Sequence, residues 1–239
     1  MRGHEIYKIL KGIGATNLYH ANSVTTSCTF IEQGGLLSRD FVERNGLVQT
    51  AQDSDDIDKK YEIWDCIFLD HVDIHERGGK RKGPNQYGPV LFVFNLDILL
   101  HLPDRTEVCV TKINPINWDG LGPSERWLQN PKEVASKLNY GDFDKMLVIR
   151  TPTGKLPFPD MQAVICLDDP QRSLDSGENA YTHAKSRLKE AAIPGGICPV
   201  VKKRICQNGC ACTQKYAQYL PKLPDVSRCL PTDINDFFE

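Results

Sequence analysis

The most informative part of the sequence is Leu18-Tyr-His-Ala-Asn-Ser-Val-Thr-Thr-Ser-Cys-Thr-Phe-Ile-Glu-Gln-Gly-Gly-Leu-Leu-Ser-Arg39. It predicts a short strand that ends at His20, then a polar turn, then about two helical turns that include Phe30 and Ile31. The pair Gly34-Gly35 follows, and a glycine just past the last helical residue commonly ends a helix. Because a polar side chain at a strand end lies beside a helix start, we expect a ligand-binding site here.

The spacing of this stretch is that of a known motif. His20 is followed two residues later by the small polar Asn22, then by the apolar pair Phe30-Ile31, and then by Gly-Gly-Leu-Leu. This order resembles the first motif of ADP-ribosyltransferase-fold proteins, most closely the DarT-like toxins that ADP-ribosylate bases of DNA.

Later segments agree with that family in order and rough spacing over about residues 17 to 168. They resemble the family's second strand motif, its strand-then-helix segment and its catalytic strand. The three segments are Ile63-Trp-Asp-Cys-Ile-Phe-Leu-Asp70, Tyr87-Gly-Pro-Val-Leu-Phe-Val-Phe-Asn-Leu-Asp-Ile-Leu-Leu100 and Lys145-Met-Leu-Val-Ile-Arg150.

The resemblance implies a binding site for NAD as a substrate. In the family, the histidine and the polar residue two positions later hold the ribose and the nicotinamide of NAD. Transferred to this chain, those roles fall on His20 and Asn22, and we place Ser23, Phe68 and Arg39 in the same site. An aromatic ring such as Phe68 can stack on nicotinamide or on an acceptor base.

The resemblance also implies the reaction, which is cleavage of the nicotinamide–ribose bond and transfer of ADP-ribose to an acceptor. The family's catalytic glutamate belongs at the start of the strand Met146–Ile149, where this sequence has Lys145. Asp144 is the acidic candidate by position, provided that the strand register differs by one residue. A catalytically inactive module that binds NAD or nucleic acid is the alternative on the same fold.

Composition places the chain among ordinary globular proteins. Its 239 residues, 40% of them hydrophobic and 25% charged, predict one large domain or a core of about 150 residues with an appendage. The N-terminus has no apolar run of signal-peptide length, and no run is long enough to span a bilayer. We therefore expect a cytoplasmic protein that does not contact membrane, whose nine cysteines are free thiols or metal ligands.

A net charge of −2 does not predict a surface coated with positive charge. The glycine-rich segment from Glu76 to Gln86 nevertheless contains four cations, which are Arg77, Lys80, Arg81 and Lys82. They could neutralise phosphates, or the segment could be a solvated loop. With the resemblance, they predict a nucleic-acid partner, DNA rather than RNA, and a toxin or phage-defence role implies an antitoxin protein as a further partner.

A rival hypothesis uses a different triplet. If the strand predicted to start at Ile63 continues to His75, then His71, Asp73 and His75 share one face. Two imidazoles and a carboxylate can chelate a divalent metal, as in a metal-dependent hydrolase or nuclease. The other interpretation is a polar, partly exposed strand end.

The remaining pattern predicts an α+β fold with an ADP-ribosyltransferase-like split, mainly antiparallel β core and short helices. We expect Gln49 to Lys60 to form an acidic, solvated loop. The other predicted strands are Val90–Phe94, Glu107–Lys112, Met146–Ile149 and Ala163–Leu167. The other predicted helices are Asp40–Val48, a short one ending at Leu100, Pro131–Leu138 and Asn179–Ala192.

The composition changes near the end of the chain. We predict an ADP-ribosyltransferase-like domain over residues 1–168, a charged helical connector over 169–193 and a cysteine-rich tail over 194–239. Cys206, Cys210 and Cys212 are spaced closely enough to bind one zinc ion or an iron–sulfur cluster, with Cys198 or Cys229 as the fourth ligand. Unligated thiols are the alternative.

Overall fold

The structure is a computed structural model, and it describes residues 1–52, 54–74 and 88–206. Its helices are α1 (Gly3–Gly12), α2 (Val24–Glu32), α3 (Arg39–Arg44), α4 (Asp55–Lys60), α5 (Pro123–Arg126), α6 (Pro131–Lys137) and α7 (Ala180–Gly195). Short 3₁₀ helices span Leu96–Leu100, Pro115–Asn117 and Pro159–Met161.

The strands alternate with these helices. They are β1 (Asn17–Asn22), β2 (Gly35–Leu37), β3 (Ile67–Leu69), β4 (Val90–Asn95), β5 (Glu107–Val110), β6 (Leu147–Arg150), β7 (Lys155–Pro157), β8 (Gln162–Asp169) and β9 (Cys198–Ile205).

Three sheets form from these strands, and antiparallel pairing dominates them. The largest has the order β1-β4-β8-β9, a second has the order β3-β6-β5, and β2 pairs with β7. All of these pairs are antiparallel except β8 with β9. The predicted α+β class is therefore confirmed at the level of mixed elements with mainly antiparallel sheets.

β4 lies at the centre of the core. Every residue of Val90-Leu-Phe-Val-Phe94 except Val93 is buried, because both faces of the strand are covered. The 3₁₀ helix that follows is capped by Asn95, whose side chain accepts a hydrogen bond from the backbone N–H of Asp97.

α2 follows β1 directly and is buried from Val24 to Ile31. Its N-cap is Ser23, whose hydroxyl accepts a hydrogen bond from the backbone N–H of Thr26 at 3.2 Å. α7 packs on its outer side. At the contact a Cβ on Gly195 would lie 2.4 Å from the carbonyl oxygen of Ile31, so only glycine allows this approach.

The C-terminal elements join the core. β8, α7 and β9 form a strand–helix–strand unit in which β9 runs parallel to β8 from the pair Gln162–Cys198 to the pair Asp169–Ile205. Within the described residues, the boundaries predicted at 168 and 193 therefore do not separate packed units. Residues 207–239 lie outside the described residues.

Two local predictions are wrong. The second half of the expected acidic loop forms α4, because Asp55, Asp56 and Asp58 occupy its first turn, where carboxylates favour a helix N-terminus. The strand expected from Ile63 to His75 spans only Ile67–Leu69.

Among the described residues, no helix is both long enough and apolar enough to cross a membrane.

Candidate functional site

A cavity of about 220 Å³ lies where β1 ends and α2 begins. Its other walls come from residues 50–52 and 54, from α4, from β3 with the residues beside it, and from residues 114–116 and 146. The five residues predicted to bind NAD all line this cavity: His20, Asn22, Ser23, Arg39 and Phe68. Side chains up to 48 residues apart in sequence are thus brought to one place.

His20 is held in one tautomer by the β3 backbone. Its Nδ1 lies 2.8 Å from the carbonyl oxygen of Phe68, which can only accept, so Nδ1 bears the proton and donates it. Nε2 is then an acceptor, and it lies 3.3 Å from Nδ2 of Asn22. Asn22 is fixed in turn, because its Oδ1 accepts a hydrogen bond from the backbone N–H of Ser23 at 2.8 Å.

The His20 imidazole is neutral near pH 7. Burial lowers its pKa to about 4, and the positive charge of Arg39 acts in the same direction against the opposing Phe68 hydrogen bond. A neutral imidazole does not repel a cationic ring such as that of nicotinamide in NAD. It also keeps Nε2 as an acceptor for a ligand hydroxyl.

A network of hydroxyl groups ties the segment around Thr50 to the start of α2. The Ser23 and Thr50 hydroxyls are 2.8 Å apart, and the backbone N–H of Thr50 donates to Oγ1 of Thr26 at 2.9 Å. Ser23 and Thr50 line the cavity, as do Ala51 and Gln52. The cavity wall is therefore connected to the N-cap of α2.

Arg39 fixes the same segment from the other side. Its Nη1 donates to the carbonyl oxygen of Thr50 at 2.9 Å, and its Nη2 donates to both carboxylate oxygens of Asp55. Its Nε is buried and makes no hydrogen bond within the described part of the chain. Arg39 is thus first a positioning residue for Thr50 and Asp55.

The aromatic wall combines Phe68 with Phe30. Phe68 is partly exposed, and the ring of Phe30 lies 5.6 Å from the imidazole of His20, centroid to centroid. A flat ligand ring entering the cavity would meet these faces.

Sequence reasoning missed the acidic residues of the cavity, which are Asp58 and Asp70. Both are 7% exposed. Burial raises the pKa of the Asp58 carboxyl to about 7, and the charge of Asp55 raises it further, against the opposing effects of Arg39 and the Ser54 hydroxyl. Asp58 belongs to α4, and the helix signature was readable in Ser54-Asp-Asp-Ile-Asp-Lys-Lys60, with acids in the first turn and lysines in the last.

Cys66 also lines the cavity. Burial raises the pKa of its thiol to about 12, so the sulfur stays protonated at neutral pH. The cavity therefore holds no thiolate nucleophile from this residue.

The predicted catalytic residue Asp144 is not at the cavity. It is exposed, in a bend three residues before the first residue of β6, and its backbone oxygen accepts from Oγ1 of Thr111 at 3.4 Å. Side-chain alternation begins only where the strand does, so the register argument for Asp144 fails. The residue just before β6, Met146, lines the cavity instead.

Only two members of the rival metal triplet, His71 and Asp73, are among the described residues. The chain bends from residue 71 to residue 74 and does not continue β3. Nε2 of His71 lies 3.2 Å from the carbonyl oxygen of Asn139, whereas Asp73 accepts a hydrogen bond from Arg204 at 2.9 Å. The extended strand that was expected to bring the triplet together does not form, and the metal-dependent hydrolase stays a prediction of the sequence.

The cysteine site requires a similar correction. Cys198 begins β9 and Cys206 follows its last residue, so the strand separates them by about 26 Å at roughly 3.3 Å per residue. One zinc ion or cluster cannot bind both, because zinc–sulfur bonds are about 2.3 Å. Cys210, Cys212 and Cys229 lie outside the described residues, and within those residues no three metal-binding side chains form a group.

The predicted nucleic-acid residues Arg77, Lys80, Arg81 and Lys82 also lie outside the described residues. The described residues on either side of that segment are both at the candidate site. Ile74 lines the cavity, and a Cβ on Gly88 would lie 2.5 Å from the carbonyl oxygen of Asn22.

No protein-family model matches the chain, and no curated protein matches it. The assignment of a function therefore depends on the geometry of the cavity and on the motif resemblance.

Proposed function

We propose that the chain binds NAD with its nicotinamide–ribose end in the cavity and transfers the ADP-ribose group to an acceptor, with release of nicotinamide. The observation that supports this most is the convergence of His20, Asn22, Ser23, Arg39 and Phe68 on one cavity. Of these residues, His20 and Asn22 are the two to which the motif resemblance assigns the binding of NAD.

The size of the cavity fits one end of the dinucleotide. About 220 Å³ is below the range of roughly 300–1,000 Å³ that is usual for sites enclosing a drug-sized ligand. A nicotinamide and its ribose are much smaller than the whole molecule, so the adenosine half would extend outside the cavity.

The polar groups of the cavity match that end. Nε2 of His20 is an acceptor and would take a hydrogen bond from a ribose hydroxyl in place of the one from Nδ2 of Asn22, while the ring of Phe68 offers a face to nicotinamide. Asp58 and Asp70 are anionic when ionised and would attract the positive charge of the nicotinamide ring before its bond to ribose breaks.

The acceptor in this proposal is nucleic acid, DNA rather than RNA. The support comes from the resemblance to DNA-modifying toxins and from the four cations between residues 77 and 82, whose segment is flanked by Ile74 and Gly88 at the site. An antitoxin protein and a metal bound by Cys206, Cys210, Cys212 and Cys229 remain predictions of the sequence.

One observation favours a second candidate, a binding module without transferase activity. The position of the family's glutamate is occupied by Lys145, and the neighbouring residue that lines the cavity just before β6 is Met146. A thioether cannot accept a proton or stabilise a developing positive charge as a carboxylate does.

The two candidates separate in one experiment. Full-length protein is incubated with NAD labelled in the adenosine half and with single- or double-stranded DNA, with and without a metal chelator. We expect release of nicotinamide and label on the DNA, unchanged by the chelator. Bound NAD without nicotinamide release would indicate the binding module, and label on protein instead of DNA would overturn the nucleic-acid acceptor.

A further inference from the structure

The structure places a buried carboxylate in the cavity that neither the family motif nor its spacing predicts. Asp58 is on α4, an element that the motif resemblance does not include, and it shares the cavity with His20 and Phe68. Asp144 lies elsewhere, so a catalytic carboxylate has to come from another part of the chain.

We propose that Asp58 is the acid–base residue of this cavity and takes the proton of the acceptor during ADP-ribose transfer. The inference depends on the proposed function, because it assigns a role within that reaction. Asp70 lines the same cavity, but we assign the acid–base role to Asp58.

The position of α4 supports this role. Arg39 holds the first residue of the helix, Asp55, and also Thr50, and the helix packs against the 3₁₀ helix Pro115–Asn117, which lines the same cavity. The helix that carries Asp58 is therefore held by two other parts of the cavity lining, and Asp58 is 7% exposed. A general base requires such a fixed position within reach of the substrate.

The groups around Asp58 set the pKa of its carboxyl. The groups that act on it are Asp55 on the same helix, the Arg39 guanidinium on α3 and the Ser54 hydroxyl. The cavity also contains the neutral imidazole of His20, the protonated thiol of Cys66 and the carboxyl of Asp70. Burial and Asp55 together raise the pKa of Asp58 to about 7, and an acid–base residue is most effective when its pKa is near the working pH.

The proposed reaction is a substitution at C1′ of the nicotinamide ribose. An N–H or O–H group of the acceptor, or water in hydrolysis, attacks C1′ of the nicotinamide ribose. The C1′–N bond breaks, and its electron pair goes to the ring nitrogen, which leaves as neutral nicotinamide. The proton of the acceptor passes to the Asp58 carboxylate and from there to solvent, so Asp58 is regenerated.

The test compares three isosteric variants of the full chain with the wild type, namely Asp58→Asn, Asp70→Asn and Asp56→Asn. Asp56 is exposed on the same helix and serves as the matched control. The readouts are NAD affinity, nicotinamide release from pH 5 to pH 9, and label on DNA.

We expect Asp58→Asn to bind NAD with an affinity within threefold of the wild type and to release nicotinamide at least 100-fold more slowly, since general acid–base catalysis typically contributes about 10²–10⁴-fold. The wild-type rate should rise with pH, reach half of its maximum near pH 7, where the carboxyl is half ionised, and level off about one pH unit higher. The residual rate of Asp58→Asn should lose this dependence. Asp56→Asn should match the wild type in NAD affinity and in the rate of nicotinamide release at each pH.

Three results would overturn the inference. A normal rate in Asp58→Asn would remove Asp58 from the chemistry and leave the proposed function intact. A loss confined to Asp70→Asn would move the role to Asp70. Absence of nicotinamide release from the wild type would reject the transferase and this role together.

Discussion

In the wild type, Asp58 should lower the free energy of unfolding by about 4 kcal/mol as the pH rises from about 4 to about 7. Asp58→Asn is expected to remove this fall. The pKa of Asp58 is raised from 3.8 to about 7 in the folded chain, chiefly by burial. A difference of about three units corresponds to about 4 kcal/mol at roughly 1.36 kcal/mol per unit.

The sign follows from proton binding. Between these pH values the folded chain keeps the proton on Asp58 and the unfolded chain has lost it, so folded protein binds more protons and its stability falls as pH rises. This is opposite to the behaviour of a carboxylate in an ion pair. Asparagine cannot ionise, so the variant lacks this fall.

The measurement is urea unfolding of both proteins at several pH values from 4 to 8. The free energy of unfolding of Asp58→Asn minus that of the wild type should increase by about 4 kcal/mol over this range. The contribution of His20, whose lowered pKa acts in the opposite direction near pH 4 to 6.5, is present in both proteins and cancels. A constant difference would show that Asp58 is not buried as described, and Asp56→Asn should give a constant difference.

Arg39→Met is expected to destabilise the fold by about 3 kcal/mol and to open the cavity wall. The substitution keeps most of the side-chain volume but removes the donors to Thr50 and Asp55. Breaking one half of a largely buried ion pair typically costs about 3–5 kcal/mol, because the remaining charge is left without a partner. We take the lower end, because the Asp55 side chain is 24% exposed.

A matched control lies on the same helix. Arg44 pairs with Asp40 on the surface, with 64% of the Arg44 side chain exposed. Arg44→Met should therefore cost less than about 1 kcal/mol. Chemical unfolding measures both variants, and the double variant Arg39→Met with Asp55→Asn should recover part of the loss, because it leaves no unpaired carboxylate. If Arg39→Met and Arg44→Met lost equally little of the free energy of unfolding, Arg39 would not hold the cavity wall.

The sequence alone predicted those elements of the fold that depend on the pattern of neighbouring residues. The strand ending near His20, the buried helix with Phe30 and Ile31, and the central strand from Val90 all form as predicted. Each depends on an apolar pattern and a cap, which are properties of neighbouring residues.

The predictions that failed concern features that depend on tertiary contacts. Asp58 was placed in a solvated loop because aspartate is rarely buried, and its burial arises from contacts that a sequence pattern does not contain. β9 was assigned to a metal-binding tail because cysteines dominate that region, yet its Val200 and Val201 pair with the β8 residues Val164 and Ile165 across a helical crossover.

The binding residues and the catalytic residue show the same contrast. His20 and Asn22 are two residues apart on one strand, so their proximity follows from the sequence. A role for Asp144 required a specific strand start, but β6 begins at Leu147, three residues after Asp144, and Asp144 does not line the cavity.

The most direct test of the account is calorimetric titration of NAD into the wild type, His20→Ala and His101→Ala. His101 is exposed and away from the cavity lining, so its variant controls for the loss of an imidazole. We predict saturable binding to the wild type and to His101→Ala. For His20→Ala, loss of one hydrogen bond of about 0.5–1.5 kcal/mol should weaken binding by about 2- to 12-fold. Absence of NAD binding to the wild type, or equal affinity in folded His20→Ala, would contradict the assignment of the cavity as an NAD site.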